Sequence, residues 1–189
     1  MCASEETPPE PIAVTVVFLE MRSRPRNRVH PPVNRSVALL KTRAIPLSFY
    51  RYLMDRVGRR WHWVNRLRLS DEELETILRD PACEITVLNL DGAPAGFFEL
   101  HRVGSERVEL SYFGLMEQAI GQGLGRWFLS SAVDAAWMHD PQVVTVQTCT
   151  LDHPAALQLY QRAGFSPVGA AEELIYPLSP EERAAVLAR

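Results

Sequence analysis

Residues 120–126 read Ile120-Gly121-Gln122-Gly123-Leu124-Gly125-Arg126 and stand between a predicted strand and a predicted helix. Glycines at alternate positions leave the backbone bare where the helix begins. Amide N–H groups there can approach an anion closely, and the first helical turn adds unpaired donors and a partial positive charge. The stretch therefore reads as a cradle for a phosphate-bearing guest. It is not the dinucleotide turn, whose spacing is Gly-x-Gly-x-x-Gly, and no Lys-Ser/Thr pair follows to make a phosphate loop.

Outward from the loop, the pattern is that of a mixed α/β chain. Upstream lies an antiparallel meander. Glu84 to Leu90 is a strand, Asp91-Gly92 is a hairpin turn, Ala95 to Arg102 returns, and a turn near Gly104-Ser105 leads to a third strand over Arg107 to Leu115. Downstream, Leu124 to His139 carries apolar residues at helical spacing. Val143 to Thr148 is a strand of the buried type. Asp152 or His153 precedes Pro154 at the start of another helix, which ends at Gly164, and Phe165 to Tyr176 is strand again.

Before the meander, Ala13 to Met21 and Ser36 to Lys41 are strands. Ser48 is expected to cap a helix ending at Gly58. Ser70 with Glu73, and Ser179 with Glu182, form capping boxes that open two further helices. The loop holding Arg22, Arg24, Arg26, Arg28 and Arg35 is either a solvated connection or a contact for a phosphate or acidic acceptor.

Composition narrows the classes. The chain has 189 residues, 47% hydrophobic content and a formal charge of −3. That balance argues against a dedicated nucleic-acid binder. No apolar run reaches the ~20 residues of a membrane span. Residues 1–11, acidic and proline-rich, are expected to be a disordered tail, leaving 12–189 as one domain. Cys2, Cys83 and Cys149 suggest neither a disulfide framework nor a metal site, and fit a reducing cytoplasm.

The meander, the glycine loop and the segment Leu159-Tyr160-Gln161-Arg162-Ala163-Gly164-Phe165 together resemble the GNAT acyltransferase superfamily. Its loop signature, Arg/Gln-x-x-Gly-x-Gly/Ala, falls here on residues 120–125, with Ile120 at the position usually held by Arg or Gln. Its second hallmark, Leu-Tyr-x-x-x-Gly-Phe, is matched by Leu159, Tyr160, Gly164 and Phe165. The likeness covers about Glu84 to Tyr176 and is only topological before that.

What the resemblance implies is a mixed sheet with an antiparallel meander, splayed strands and flanking helices. It also implies acetyl-CoA or another acyl-CoA as donor and a primary amine, most readily of a small molecule, as acceptor. A protein or peptide acceptor, or a non-catalytic acyl-CoA sensor, is the alternative. A monomer or homodimer is expected. By register, Phe113, Gly114 and Leu115 would bind the pantetheine arm, and Gly121, Gln122, Gly123, Leu124, Gly125 and Arg126 the pyrophosphate. His153 stands where many relatives have asparagine, and would cap its helix or bond the cofactor.

Acyl transfer to an amine needs deprotonation of the ammonium, a donor for the developing oxyanion, and protonation of the leaving thiolate. The main chain of Leu115 or Met116 is placed for the second task. Tyr160, with an ordinary phenol pKa near 10, is the candidate acid, or else it packs in the core. Glu109 is the candidate base, expected by strand alternation to share a face with Ser111 and Phe113. Glu99, His101 or a water chain are its alternatives. Of the aromatic residues between the first strands and the meander, Tyr52, Trp61 and Trp63 are expected to supply the acceptor wall.

Overall fold

The computed structural model describes residues 9–26 and 29–189. Residues 1–8 of the expected tail over 1–11, with Cys2 among them, and Arg28 lie outside them. The chain enters regular structure as β1 (Ile12–Met21) and β2 (Val37–Lys41), then α1 (Leu47–Gly58) and α2 (Asp71–Arg79). The meander follows as β3 (Cys83–Leu90), β4 (Ala93–Val103) and β5 (Arg107–Leu115). After the glycine loop come α3 (Leu124–Trp137), β6 (Val143–Cys149), α4 (Ala156–Ala163), β7 (Ser166–Ile175) and α5 (Pro180–Leu187).

Local chemistry explains most boundaries. Asp91 and Gly92 have φ of 51° and 88°, the positive values a tight hairpin demands. Both capping boxes are closed: Ser70 Oγ accepts from Glu73 N–H, Ser179 Oγ from Glu182 N–H, and each glutamate reaches back to its serine amide. α1 departs from expectation. It starts at Leu47 behind Pro46, with no side-chain cap from Ser48. Gly58 does not turn the chain out either, having φ −95°. A 3-10 turn (Arg59–Trp61) continues directly, and His62 reverses the chain at φ 54°. Glycine is required at 58 for packing, since a Cβ there would overlap the Trp63 side chain.

The seven strands form one sheet in the order β2-β3-β4-β5-β6-β1-β7. β5 and β6 are parallel, and the other neighbours are antiparallel. The first strand thus lies between two late ones. Residues 22–36 carry the chain from there to the opposite edge. Three of their arginines are held by the protein's own carboxylates: Arg22 by Glu20, Arg24 by Asp134 of α3, and Arg35 by Asp91. This is the solvated-connection reading.

Each face of the sheet has its own core. On one, Phe98, Leu100, Leu110, Val146 and Leu19 pack on α3 and α4 through Phe128, Leu129, Ala132 and Tyr160. On the other, Ile85, Val87 and Phe97 pack on Tyr50, Leu53 and Met54 of α1, Leu74 of α2 and Val186 of α5. A buried polar knot lies on this second face. Glu99, 0% exposed, accepts from Tyr50 Oη at 2.6 Å and from Arg66 Nη2 at 2.7 Å. Arg66 also lies 5.7 Å from the centre of the Tyr112 ring.

Candidate functional site

The site is a gap in the sheet. β5 and β6 pair only from Arg107↔Val143 to Leu110↔Val146. β5 then stays with β4 as far as Gly96↔Leu115, and β6 stays with β1 as far as Val16↔Cys149. Between them the strands part. The departure coincides with a bulge: Glu99 pairs Tyr112 and Leu100 pairs Leu110, so Ser111 is an extra residue on β5.

The bulge corrects the expected face of Glu109. Beyond Ser111 the alternation is inverted. Tyr112, whose phenol feels the charge of Glu109, takes the α1 side, while Phe113 packs on Phe128 and Tyr160 of the other core. Glu109 sits between His101 and Thr145 and does not line the gap. His101 does not line it either, and Glu99 has both carboxylate oxygens engaged in the buried knot.

The same register decides which amides are available. Met116 N–H donates to Ala95 O at 2.8 Å. In an antiparallel ladder the bonded pairs alternate, so Gly114 and Tyr112 also face β4. Phe113 and Leu115 therefore turn their main-chain N–H and C=O toward the gap. Met116 is excluded as the oxyanion donor: its amide is used, its side chain is 0% exposed, and it lies outside the cavity wall. Leu115 remains.

A cavity of about 380 Å³ fills the gap and passes from one face of the sheet to the other. On the α3 and α4 side it is walled by Leu124, Leu159 and Tyr160, with Gly121, Gly123 and Gly125 at its mouth. Gly121 and Gly123 have φ of +79° and +76°, and a Cβ at either would meet nothing within 4 Å. The loop is thus both conformationally restricted to glycine and open. Gly123 is the N-cap of α3 and gives no side-chain cap, so the first-turn amides keep their donors. Gln122 turns away and donates to Gln118 O at 2.5 Å, and Arg126 is exposed on the first turn outside the wall.

Across the open end runs the segment after α1. Trp63 Nε1 donates to Asp152 Oδ1 at 3.3 Å, and Trp61 meets the His153 ring edge-on at 5.5 Å. Both tryptophans line the cavity. Tyr52 does not: it is 42% exposed and stacks on Phe49. It faces outward because α1 turns Tyr50 and Leu53 to the core. His153 lines the cavity and also caps locally, its Nδ1 accepting from Ala155 N–H at 3.1 Å.

Sequence reading missed the residue that organises this end. Asp152 Oδ2 accepts from Thr148 Oγ1 and from Cys149 N–H, while Oδ1 takes the Trp63 indole. An aspartate just ahead of His153-Pro154 reads as a helix cap; here it ties β6 to the aromatic segment instead. Among the described residues the cavity's other carboxylate is Glu173 of β7, and Cys149 also lines it. Burial, and then the charges of both carboxylates, push the Cys149 thiol up.

Tyr160 is 6% exposed and lines the passage. Burial first, then the Asp152 charge, push its phenol well above the ordinary value of 10. The neutral form is therefore secured. Full proton transfer to a thiolate, whose acid has a pKa of about 8.5, would be uphill. The geometry suits Tyr160 to donating a strong hydrogen bond to sulfur rather than to surrendering its proton.

No cluster of His, Cys, Asp and Glu among the described residues is arranged to hold a metal ion, and no helix among them is long and apolar enough to cross a membrane. Comparison with known proteins agrees with the geometry. A family model described as Acetyltransferase (GNAT) family matches residues 48–165. No curated protein matches by sequence. Among solved structures, a GCN5-related N-acetyltransferase from Sphaerobacter thermophilus superposes with a TM-score of 0.60 at 13% identity, over 90% of this chain and 54% of its own. One from Kribbella flavida gives 0.53 at 15%, over 92% and 60%. A functionally unknown conserved protein from Staphylococcus epidermidis gives 0.56 at 14%, over 89% and 64%. The chain thus spans less than two thirds of the length of each of these.

Proposed function

From the premise that the chain belongs to the GNAT acetyltransferase family, we propose that residues 12–189 transfer an acetyl group from acetyl-CoA to the primary amine of a small molecule. The carrying observation is the passage through the sheet, with uncommitted main-chain donors at its mouth and midway along one wall. The residues fit coenzyme A. Gly121 and Gly123 leave open the space a Cβ would fill, and the uncapped start of α3 supplies donors and dipole for a diphosphate. The exposed strand edge of Phe113 and Leu115 can pair with the amides of an extended arm, as an added strand would.

The thioester supplies an activated acyl carbon. Leu115 N–H is the donor for a carbonyl oxygen that gains charge. Tyr160 O–H stabilises the sulfur that leaves. Trp61 and Trp63 wall the acceptor side and exclude water. A reducing cytoplasm is the proposed setting, in keeping with the free thiols of Cys83 and Cys149.

The test is calorimetric titration with coenzyme A, followed by thiol release from acetyl-CoA across a panel of amines and amino acids. Uptake with turnover of a small amine supports the reading. Uptake without turnover of any amine makes the protein a sensor, and no uptake overturns the assignment.

A further inference from the structure

The α1-side half of the passage has a distinct chemistry. Its walls are mainly apolar or aromatic, with Val16, Trp63, Val64, Tyr112 and Ile175, and are interrupted by the polar His62, Asn65 and Gln147. No lysine or arginine lines the cavity, and two carboxylates do. Asp152 is already satisfied by Thr148, Cys149 and Trp63. Glu173 has no hydrogen-bond or ion-pair partner among the described residues, whereas its neighbour Glu172 is held by Thr15 Oγ1 at 2.7 Å.

Register fixes where Glu173 stands. It pairs with Val14, and Val16 of the same strand face pairs with Cys149 at the end of the gap. Ile175, two residues on, packs into the α1-side core. Glu173, solvent-exposed on the edge strand, therefore stands on the same face of the sheet as Ile175 and lines the cavity from there. The Cys149 thiol feels its charge.

Resting on the acetyltransferase reading above, we infer that Glu173 is the specificity-determining anchor for the acceptor's ammonium group, and that the acceptor is a monocationic amine with an aromatic or apolar body. One open carboxylate neutralises one cation. A polycation would have to place its remaining ammonium groups against tryptophan, tyrosine and valine walls, with neutral polar groups such as Asn65 and Gln147 but no further open carboxylate to pair with, at a desolvation cost. An acidic acceptor would meet two carboxylates and no cation.

The experiment uses the full chain and two probes, phenethylamine and spermidine, with 2-phenylethanol as the uncharged isostere. Tryptophan fluorescence reads amine binding without any cofactor. Phenethylamine should bind at least tenfold more tightly than spermidine or 2-phenylethanol. Glu173→Gln should weaken it at least tenfold, with Glu172→Gln as the unaffected control. In turnover with acetyl-CoA, Glu173→Gln should raise the KM for phenethylamine tenfold or more and leave that for acetyl-CoA within twofold. Equal phenethylamine binding by wild type and Glu173→Gln, no binding by wild type, or a preference for spermidine overturns the inference. Failure of coenzyme A uptake by calorimetry strikes the parent reading instead, and leaves the fluorescence result standing on its own.

Discussion

The indole N–H of Trp63 reaches Asp152 Oδ1 at 3.3 Å across the open end of the gap between β5 and β6. Trp63 can lie there because Gly58 and Gly114 have no side chains: a Cβ on Gly114 would overlap Val57 Cγ1 and stand 3.0 Å from Trp63 Cη2. One ring thus joins the α1 segment to the start of the Tyr160 helix. Trp63→Phe should keep most packing against Phe97 and Tyr112 but free Asp152. We expect the amine KM to rise about tenfold, with a stability loss of about 1 kcal/mol, the net worth of one such hydrogen bond. Steady-state kinetics and urea unfolding check both.

Gly123→Ala places a Cβ in the open mouth of the cradle and forces a left-handed conformation on alanine. The strain is roughly 1–2 kcal/mol. Coenzyme A affinity measured by calorimetry should fall at least tenfold, while binding of phenethylamine, remote from the loop, is unchanged.

Tyr160→Phe should leave coenzyme A affinity within twofold and lower kcat by about 10–100-fold, less than the roughly 10²–10⁴ of a group that transfers its proton, because Tyr160 only hydrogen-bonds the sulfur. The raised phenol makes a sharper claim about pH. Because Tyr160 stays protonated past its ordinary value, wild-type kcat should show no loss near pH 10 from this residue. A basic limb centred there that disappears in Tyr160→Phe contradicts the assignment.

The Arg66–Glu99 pair predicts a stability effect without a direct chemical one. Arg66→Met leaves a carboxylate buried at 0% exposure with only Tyr50 as partner, and should cost about 3 kcal/mol by denaturant unfolding. Adding Glu99→Gln to Arg66→Met should recover part of that loss, since the stranded group no longer carries charge.

Cys149 offers a chemical probe of the passage. Its thiol is held above the ordinary value by burial and by Asp152 and Glu173, so the reactive thiolate is scarce at neutral pH. Iodoacetamide labelling, followed by peptide mass spectrometry, should lag behind that of a free thiol across the ordinary thiol range, about pH 8.5. Saturating coenzyme A should slow it further. Rapid labelling at pH 7 would show that the wall is open to solvent.

Much of the fold was legible because its signals are local. Capping boxes, the Asp91-Gly92 turn and the glycine loop each act within a few residues, and the helices and strands follow to within a residue or two of expectation. The candidate site was legible where main chain lines the cavity, at Gly121, Gly123 and Leu115. It was illegible where the answer lies in register. Nothing in Arg107 to Leu115 announces that Ser111 is extra, yet that residue inverts the faces beyond it and separates Glu109 from the gap. Glu173 was hidden for a similar reason. Alternation along β7 puts it with Ile175, but only the neighbouring strand shows which side of the sheet is the acceptor's. Tyr52 and Trp63 look equivalent as letters; helix phase turns one outward, and a chain reversal at His62 carries the other inward.

The position of β1 has a kinetic corollary. Thr15 bonds Thr150 and Glu172 across separations of 135 and 157 residues, so β1 waits for partners made much later in synthesis. Contacts this distant are slow to form. Until they do, Leu19 and Met21 remain uncovered, and the cavity wall built on Val16 does not exist. Late docking of this strand should therefore set the rate at which refolding protein regains activity, well after helical signal has returned.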